Sequence, residues 1–345
     1  MKSVNNILII NLMYIGDLLF TTPLLHALRV AFPSAHIAML ADEKNSGVIT
    51  YNPNLSELIT IDKKGYHNKL PNYLRLIADI RKRNFDLVIN LHANERSSAI
   101  AAFSGAQKIV GFSAKGFSLF FDSLVKERRD IHQADAYLGV LQAVGVDKID
   151  RHGLEMWVDE ATEVVASEIW EKAFPNSQVA MPQVIGLNTG GSWPTKRWTK
   201  QGFAELADQL LTQNYGVAFF GGPMDVDDVT QILSLMKCGQ HEKLAVFTGK
   251  TSLLEMAALV KKCTALITGD SGPMHIAVSR QVLVVGIFGP SDAARYAPYQ
   301  QESNVIKLGC DCQPCGKHHC EIGHLCMGKI TVNMILTKLQ ALKIN

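Results

Sequence analysis

Three short segments carry residue types able to hold and transfer a phosphorylated group. The first, Met13-Tyr14-Ile15-Gly16-Asp17, sets a carboxylate behind a glycine that permits a tight turn or a close backbone approach. Asp17 reads in two ways: as a carboxylate satisfying the free N–H groups of a helix start, or as a general base facing a substrate hydroxyl. The second segment runs Asn188-Thr189-Gly190-Gly191-Ser192-Trp193-Pro194-Thr195-Lys196-Arg197-Trp198. Its backbone N–H groups and hydroxyls suit phosphate oxygens and Lys196 adds charge; the alternative is a surface loop with solvated cations. The third is Gly269-Asp270-Ser271-Gly272-Pro273-Met274-His275, with Pro273 at the first position of a helix. A helix start offers free N–H groups and the positive end of a dipole, which fits a diphosphate. Asp270 could hold a ribose hydroxyl or orient the loop, and His275 reads as a ligand contact or as a packed residue.

Two familiar phosphate signatures are missing. Gly249-Lys250-Thr251 imitates the end of a P-loop, but Leu244 stands where the earlier glycine is required. No GxGxxG follows the first strand, which argues against a dinucleotide-dependent oxidoreductase.

The elements that must position these segments alternate between β-rich runs and helical patterns. Strands are expected at Ile7–Leu12, His36–Leu40, Leu58–Ile61, Asp86–Leu91 and Ile109–Phe112. A second series covers Val184–Asn188, Val217–Phe220, Leu244–Phe247, Ala265–Thr268 and Val282–Phe288. Helices are expected at Leu18–Ala31, Asn72–Arg83, Lys200–Gln213, Val226–Met236, Leu253–Lys262 and Pro273–Arg280. Runs such as Val282-Leu283-Val284-Val285 are apolar on both faces, as in strands covered on both sides. Alternation of this kind, twice over, predicts two doubly wound parallel sheets, joined near Phe174–Gln183, where two prolines and little charge break the pattern. All three chemical segments follow strands, and open parallel sheets bind ligands beyond the carboxyl ends of their strands.

The 345 residues carry 34 Lys and Arg against 32 Asp and Glu, a net charge of +2 that is too even for a protein built to neutralise nucleic acid. With 47% hydrophobic and 19% charged residues, disorder is excluded. Lys2 and the apolar run Ile7 to Ile15 imitate a secretory signal, but Asp17 and the amphipathic stretch behind it argue against one. Of seven cysteines, five crowd between Cys310 and Cys326, unlike a secreted disulfide framework, so the expected location is the cytoplasm.

Taken together, these three segments resemble the ADP-heptose:lipopolysaccharide heptosyltransferases, glycosyltransferase family 9. The tail Cys312-Gln313-Pro314-Cys315…Cys320…Cys326-Met327 resembles one seen in many members, and the likeness runs from Ile7 to about Leu336. The resemblance implies a GT-B fold, two Rossmann-like domains facing a cleft. It divides the chain into an acceptor-binding domain (1–174), a linker (175–183), a nucleotide-sugar domain (184–330) and a C-terminal helix (331–345) packing back on the first domain. It implies inversion at the anomeric carbon with no cofactor and no catalytic metal, and it makes Asp17 the base. Ser192 and Lys196 match donor phosphate contacts; Asp270, Ser271, Gly272 and His275 match the rest of the donor motif. Thr251 falls at a nucleotide contact, and Asp225 is a match for an acidic ribose contact. Asn11 is Lys in some relatives. The implied partners are an ADP-heptose donor and a lipid-linked core oligosaccharide, with no nucleic acid and with peripheral contact at the cytoplasmic face of the inner membrane. Two other readings share the architecture: a two-lobed binder without chemistry, and a heptosyltransferase acting on protein.

On the acceptor side, Lys63, Lys64, Arg96 and Lys115 could meet anionic groups or be solvated surface charge. The aromatic run Phe112 to Phe121 could rest on a membrane or fill the core. Cys312, Cys315, Cys320 and Cys326 have spacing close to a zinc knuckle, with His318, His319 and His324 as substitutes; a metal clip, free thiols and a disulfide are the alternatives.

Overall fold

The computed structural model describes residues 4–146, 149–175 and 183–344, in two compact units, Met1–Trp157 and Val158–Asn345. The first unit is built on six parallel strands: β1 (Asn6–Asn11), β2 (His36–Asp42), β3 (Glu57–Ile61), β4 (Leu87–Asn90), β5 (Lys108–Gly111) and β6 (Ser123–Leu124). Their order is β3-β2-β1-β4-β5-β6. Ile7 to Ile10 are wholly buried, which explains why β1 reads as an unbroken apolar run. The order reverses at β1: the chain leaves it toward β2 and later returns on its other side as β4. The loops at those two strand ends therefore diverge and leave a crevice, the switch point at which such sheets take ligands.

The second unit repeats the plan. Its strands are β7 (Val184–Asn188), β8 (Gly216–Phe220), β9 (Leu244–Val246), β10 (Ala265–Gly269), β11 (Leu283–Ile287) and β12 (Val305–Ile306). They are ordered β12-β11-β10-β7-β8-β9 and all parallel, so the switch point lies between β7 and β10. Strands β6 and β12 were not expected, because two residues are too few to show a period.

Where a single helix was expected over Leu18–Ala31, there are two, Ile15–Phe20 and Thr22–Ala31. Pro23 has no N–H to offer the carbonyl of Leu19. The Thr22 hydroxyl donates to that carbonyl instead, at 2.7 Å.

The units divide after Trp157, whereas the expected first domain ran to 174. The helix Glu160–Ala173 packs on the helix Leu253–Val260, Trp170 stacks on Phe247 with centroids 6.0 Å apart, and Arg280 pairs with Glu163. These contacts tie it to the second unit. Residues 176–182 of the expected linker lie outside the described residues. The C-terminal helix Val332–Ala341 was expected to pack on the first domain. Instead its Ile335, Leu336 and Leu339 enter the second unit's own core beside Phe203 and Leu210. Tyr215 fastens its end by donating to the Ile344 carbonyl at 2.9 Å.

The aromatic run divides. Phe112 and Phe121 are buried, while Leu119 is 94% and Phe120 47% exposed. Phe103 packs against Phe117 and Phe120 at 6.4 and 5.5 Å. Among the described residues, no helix is long and apolar enough to cross a membrane.

Candidate active site

At the second unit's switch point the loops after β7 and β10 are in direct contact. Gly269 ends β10, and a Cβ there would come within 2.7 Å of the Lys196 carbonyl oxygen, so only glycine admits the approach. Lys196 lies in the short 3-10 turn Pro194–Lys196, and its Nζ is 2.6 Å from Asp270 Oδ2. With side chains 14% and 8% exposed, both charges are largely withdrawn from water, and each needs the other. An ammonium has three N–H donors, so the bond to Asp270 leaves capacity for phosphate oxygens. His275 Nε2 lies 3.9 Å from Asp270 Oδ1. Asn188, the last residue of β7, donates from Nδ2 to Thr268 Oγ1 at 2.9 Å and to Ser271 Oγ at 3.1 Å. Ser271 precedes the helix Gly272–Ser279, whose N-terminus carries no side-chain cap. Lys196, Asp270, Ser271, Gly272 and His275 are thus gathered at one strand-end crevice.

The rest of the donor set is placed less tightly. Ser192 is exposed in the β7 loop. Thr251 is half-buried in the loop after β9, directly before Ser252, which caps the next helix. Asp225 has structural partners. It accepts from the Gly222 N–H at 2.9 Å and pairs with Arg197 at 3.4 Å, and a Cβ on Gly190 would come within 2.5 Å of it. Arg197 also pairs with Asp228 and donates to the Gly191 carbonyl, so it locks the glycine pair rather than standing in solvent.

In the first unit, Asp17 sits at the third position of the helix Ile15–Phe20. Its Oδ2 accepts from the Tyr14 N–H at 3.4 Å, and the buried Tyr137 hydroxyl donates to Oδ1 at 3.4 Å. The cap reading is therefore realised through one oxygen, and the other is turned to a phenol. Asn11 shapes this loop: wholly buried, it donates to Thr21 Oγ1 at 2.9 Å and to the Asp17 carbonyl at 3.2 Å. Lys63 is tied down, 3.0 Å from Asp42 and donating to the Leu12 carbonyl at 2.5 Å. Arg96 donates to the Lys63 carbonyl at 2.8 Å, whereas Lys64 and Lys115 are exposed. His92, in the loop after β4, has its pKa pushed down to about 4, by burial first and then by Lys63, so it is a neutral imidazole near pH 7.

Two participants carry no sequence signal of their role. Tyr137 is far from Asp17 along the chain, and nothing local announces the pairing. Trp193 lies in the loop after β7, and its aromatic face meets Lys196 Nζ at 4.3 Å from the ring centroid.

All seven cysteines are free thiols. Burial first, then the neighbouring Cys310, Cys312, Cys315 and Cys320, push the Cys326 thiol up, so the five group around one place. Among the described residues, the three-residue set whose ligand atoms lie within 4.8 Å of one another is His26, Asp150 and His152, not the cysteines. His26 and His152 stack with centroids 4.0 Å apart and planes at 7°. Imidazole lone pairs lie in the ring plane, so two parallel rings do not aim at one ion. His152 Nε2 is moreover 2.7 Å from Glu155.

The model of glycosyltransferase family 9 (heptosyltransferase) matches residues 73–326. A lipooligosaccharide heptosyltransferase 2 of Haemophilus influenzae is 25% identical over 309 residues, 88% of each chain. A solved family 9 glycosyl transferase from Veillonella parvula is 34% identical, with TM-score 0.89 over 99% of this chain and 98% of that one. The solved E. coli ADP-heptose lps heptosyltransferase II, at 21% identity and TM-score 0.77 over 98% of both, shares the fold. With the family's motifs at the strand ends of two doubly wound sheets, the chain belongs to glycosyltransferase family 9, the heptosyltransferases.

Proposed function

We propose that this heptosyltransferase moves a heptose from ADP-heptose to a lipid-linked inner-core oligosaccharide of lipopolysaccharide, with inversion. The observation that carries this reading is the Lys196–Asp270 pair at the second unit's switch point, set beside Ser271 and the start of the helix Gly272–Ser279. Lys196 and the helix N–H groups bind the donor pyrophosphate; Ser192, Thr251, Gly272 and His275 complete the donor set, and Asp270 aims the ammonium. Asp17, supplied by the first unit, accepts the proton of the acceptor hydroxyl as that oxygen bonds to the anomeric carbon. The bond from that carbon to the pyrophosphate oxygen breaks, its electron pair stays on that oxygen, and ADP leaves. Aspartate is a weak base, so the proton moves late, and stabilisation of the charge growing on ADP supplies the larger share of the rate. No step calls on a metal.

The names of relatives supply the choice of donor and acceptor: one acts on lipooligosaccharide, and a solved neighbour is an ADP-heptose enzyme. A lipid-bearing acceptor is further supported by exposed Leu119 and Phe120, with the exposed cation Lys115 shortly before them in the chain, a combination that suits peripheral contact with an anionic bilayer at the cytoplasmic face of the inner membrane. The deciding experiment is a thermal-shift screen of ADP-, UDP- and GDP-sugars, followed by ADP release with candidate acceptors. ADP-heptose stabilises the protein most, and ADP appears only with a core oligosaccharide present. Preference for a UDP- or GDP-sugar, or binding without turnover on any acceptor, overturns the reading.

A further inference from the structure

The cysteine-rich segment grips the β7 loop next to Lys196. Thr195 Oγ1 donates to the Lys317 carbonyl at 2.7 Å, and His324 Nε2 donates to the Thr195 carbonyl at 2.5 Å. Between these two anchors the His318 ring stacks on the Trp193 indole, with centroids 3.8 Å apart and planes at 29°. The same indole carries Lys196 Nζ at 4.3 Å from its centroid. A lysine has four flexible carbons, so its charge is aimed only as well as the groups that surround it. Asp270 holds the ammonium by charge and Trp193 by its aromatic face. Trp193 is only half-buried, and His318 is the ring stacked against it.

We propose that His318 is a positioning residue for the donor: its stack on Trp193 holds the indole that aims Lys196, so the cysteine-rich segment sets the grip on the pyrophosphate. The proposal rests on the reading of Lys196 as a phosphate contact. His318 itself is exposed and has no part in the core. Other bonds hold its segment in place: Gly316 N–H to the Pro290 carbonyl at 2.9 Å, Gln313 Nε2 to the Phe288 carbonyl at 2.7 Å, and buried Cys326 and Met327. Loss of the imidazole should therefore leave the fold intact and loosen only the stack.

The test is calorimetric titration of the full-length protein with ADP alone, in His318→Ala, His318→Phe, Lys196→Ala and the double variant His318→Ala/Lys196→Ala. Loss of the ring that steadies the indole under the cation should weaken ADP binding about fivefold in His318→Ala. His318→Phe, which restores a flat ring, returns affinity to within about twofold. In the Lys196→Ala background, His318→Ala adds nothing further, because the group it positions is gone. Wild-type affinity in His318→Ala, equal weakness in His318→Phe, or additive losses in the double variant overturn the positioning role. Wild-type affinity in Lys196→Ala overturns the donor reading itself, a result distinct from the other three.

Discussion

In the second unit, the ends of β7 and β10 are joined by a 2.6 Å ion pair between Lys196 and Asp270, and by the amide and hydroxyls of Asn188, Thr268 and Ser271. In the first unit, the loop after β1 holds Asp17 by contacts of 3.4 Å from Tyr14 and Tyr137, and neutral His92 lies at the β4 end. Strand order is the same in both, so the scaffold does not explain the contrast. The roles proposed for the two switch points account for it. A pyrophosphate brings its own charge and rewards donors fixed before it arrives, since preorganised groups pay no reorganisation during reaction. A base needs instead a lone pair that the acceptor hydroxyl can reach. Apolar exposure does not separate the units: the first exposes Leu119 and Phe120, the second Met224 and Ile322.

The sharpest way to break this contrast is Asp17→Asn. If the first unit contributes the base, ADP release with acceptor falls about 10²–10⁴-fold while calorimetric ADP affinity stays unchanged. A near-normal rate removes the assignment. Lys196→Ala attacks the other side. Loss of a charge-assisted contact should weaken ADP binding about 10–100-fold, and unchanged affinity and turnover would leave the second unit without its central cation. The apolar patch predicts a smaller effect. Leu119→Ser with Phe120→Ser should cut flotation with anionic liposomes about fivefold, while flotation equal to wild type returns the patch to ordinary surface.

The least effect concerns His92. Its folded pKa, about 4, lies below the ordinary value of 6.5, so at low pH the unfolded chain binds a proton that the folded chain refuses. Stability is therefore complete above about pH 6.5 and lost as pH falls from there toward 4. His92→Asn should lose less over that window, closing the gap in melting temperature by roughly 3–6 °C at pH 4.5. Parallel acid profiles for both proteins would show that His92 is not held neutral by the fold.

Much of this was legible before any coordinates. Ten of the strands were marked by apolar runs, because a strand covered on both faces has to be apolar throughout, and each chemical segment followed such a run. The helix start at Ser271-Gly272-Pro273 was readable because its signal lies within three residues. The break at Pro23 was missed although its cause was local: the apolar pattern runs straight across it. The affiliation of the helix Glu160–Ala173 was not legible, since its amphipathic pattern states that one face is buried and not against which sheet.

The sequence by itself determined that two parallel sheets form and that Asp17, Lys196 and Asp270 follow strand ends, for both are properties of short-range order along the chain. Only the tertiary structure decided that Lys196 donates to Asp270, that Arg197 and Asp225 lock the glycine pair, and that Tyr137 reaches Asp17. Those pairings join residues 28 to 120 positions apart. A contact across such a separation is set by how elements pack in three dimensions, and neither residue carries a local mark of its partner.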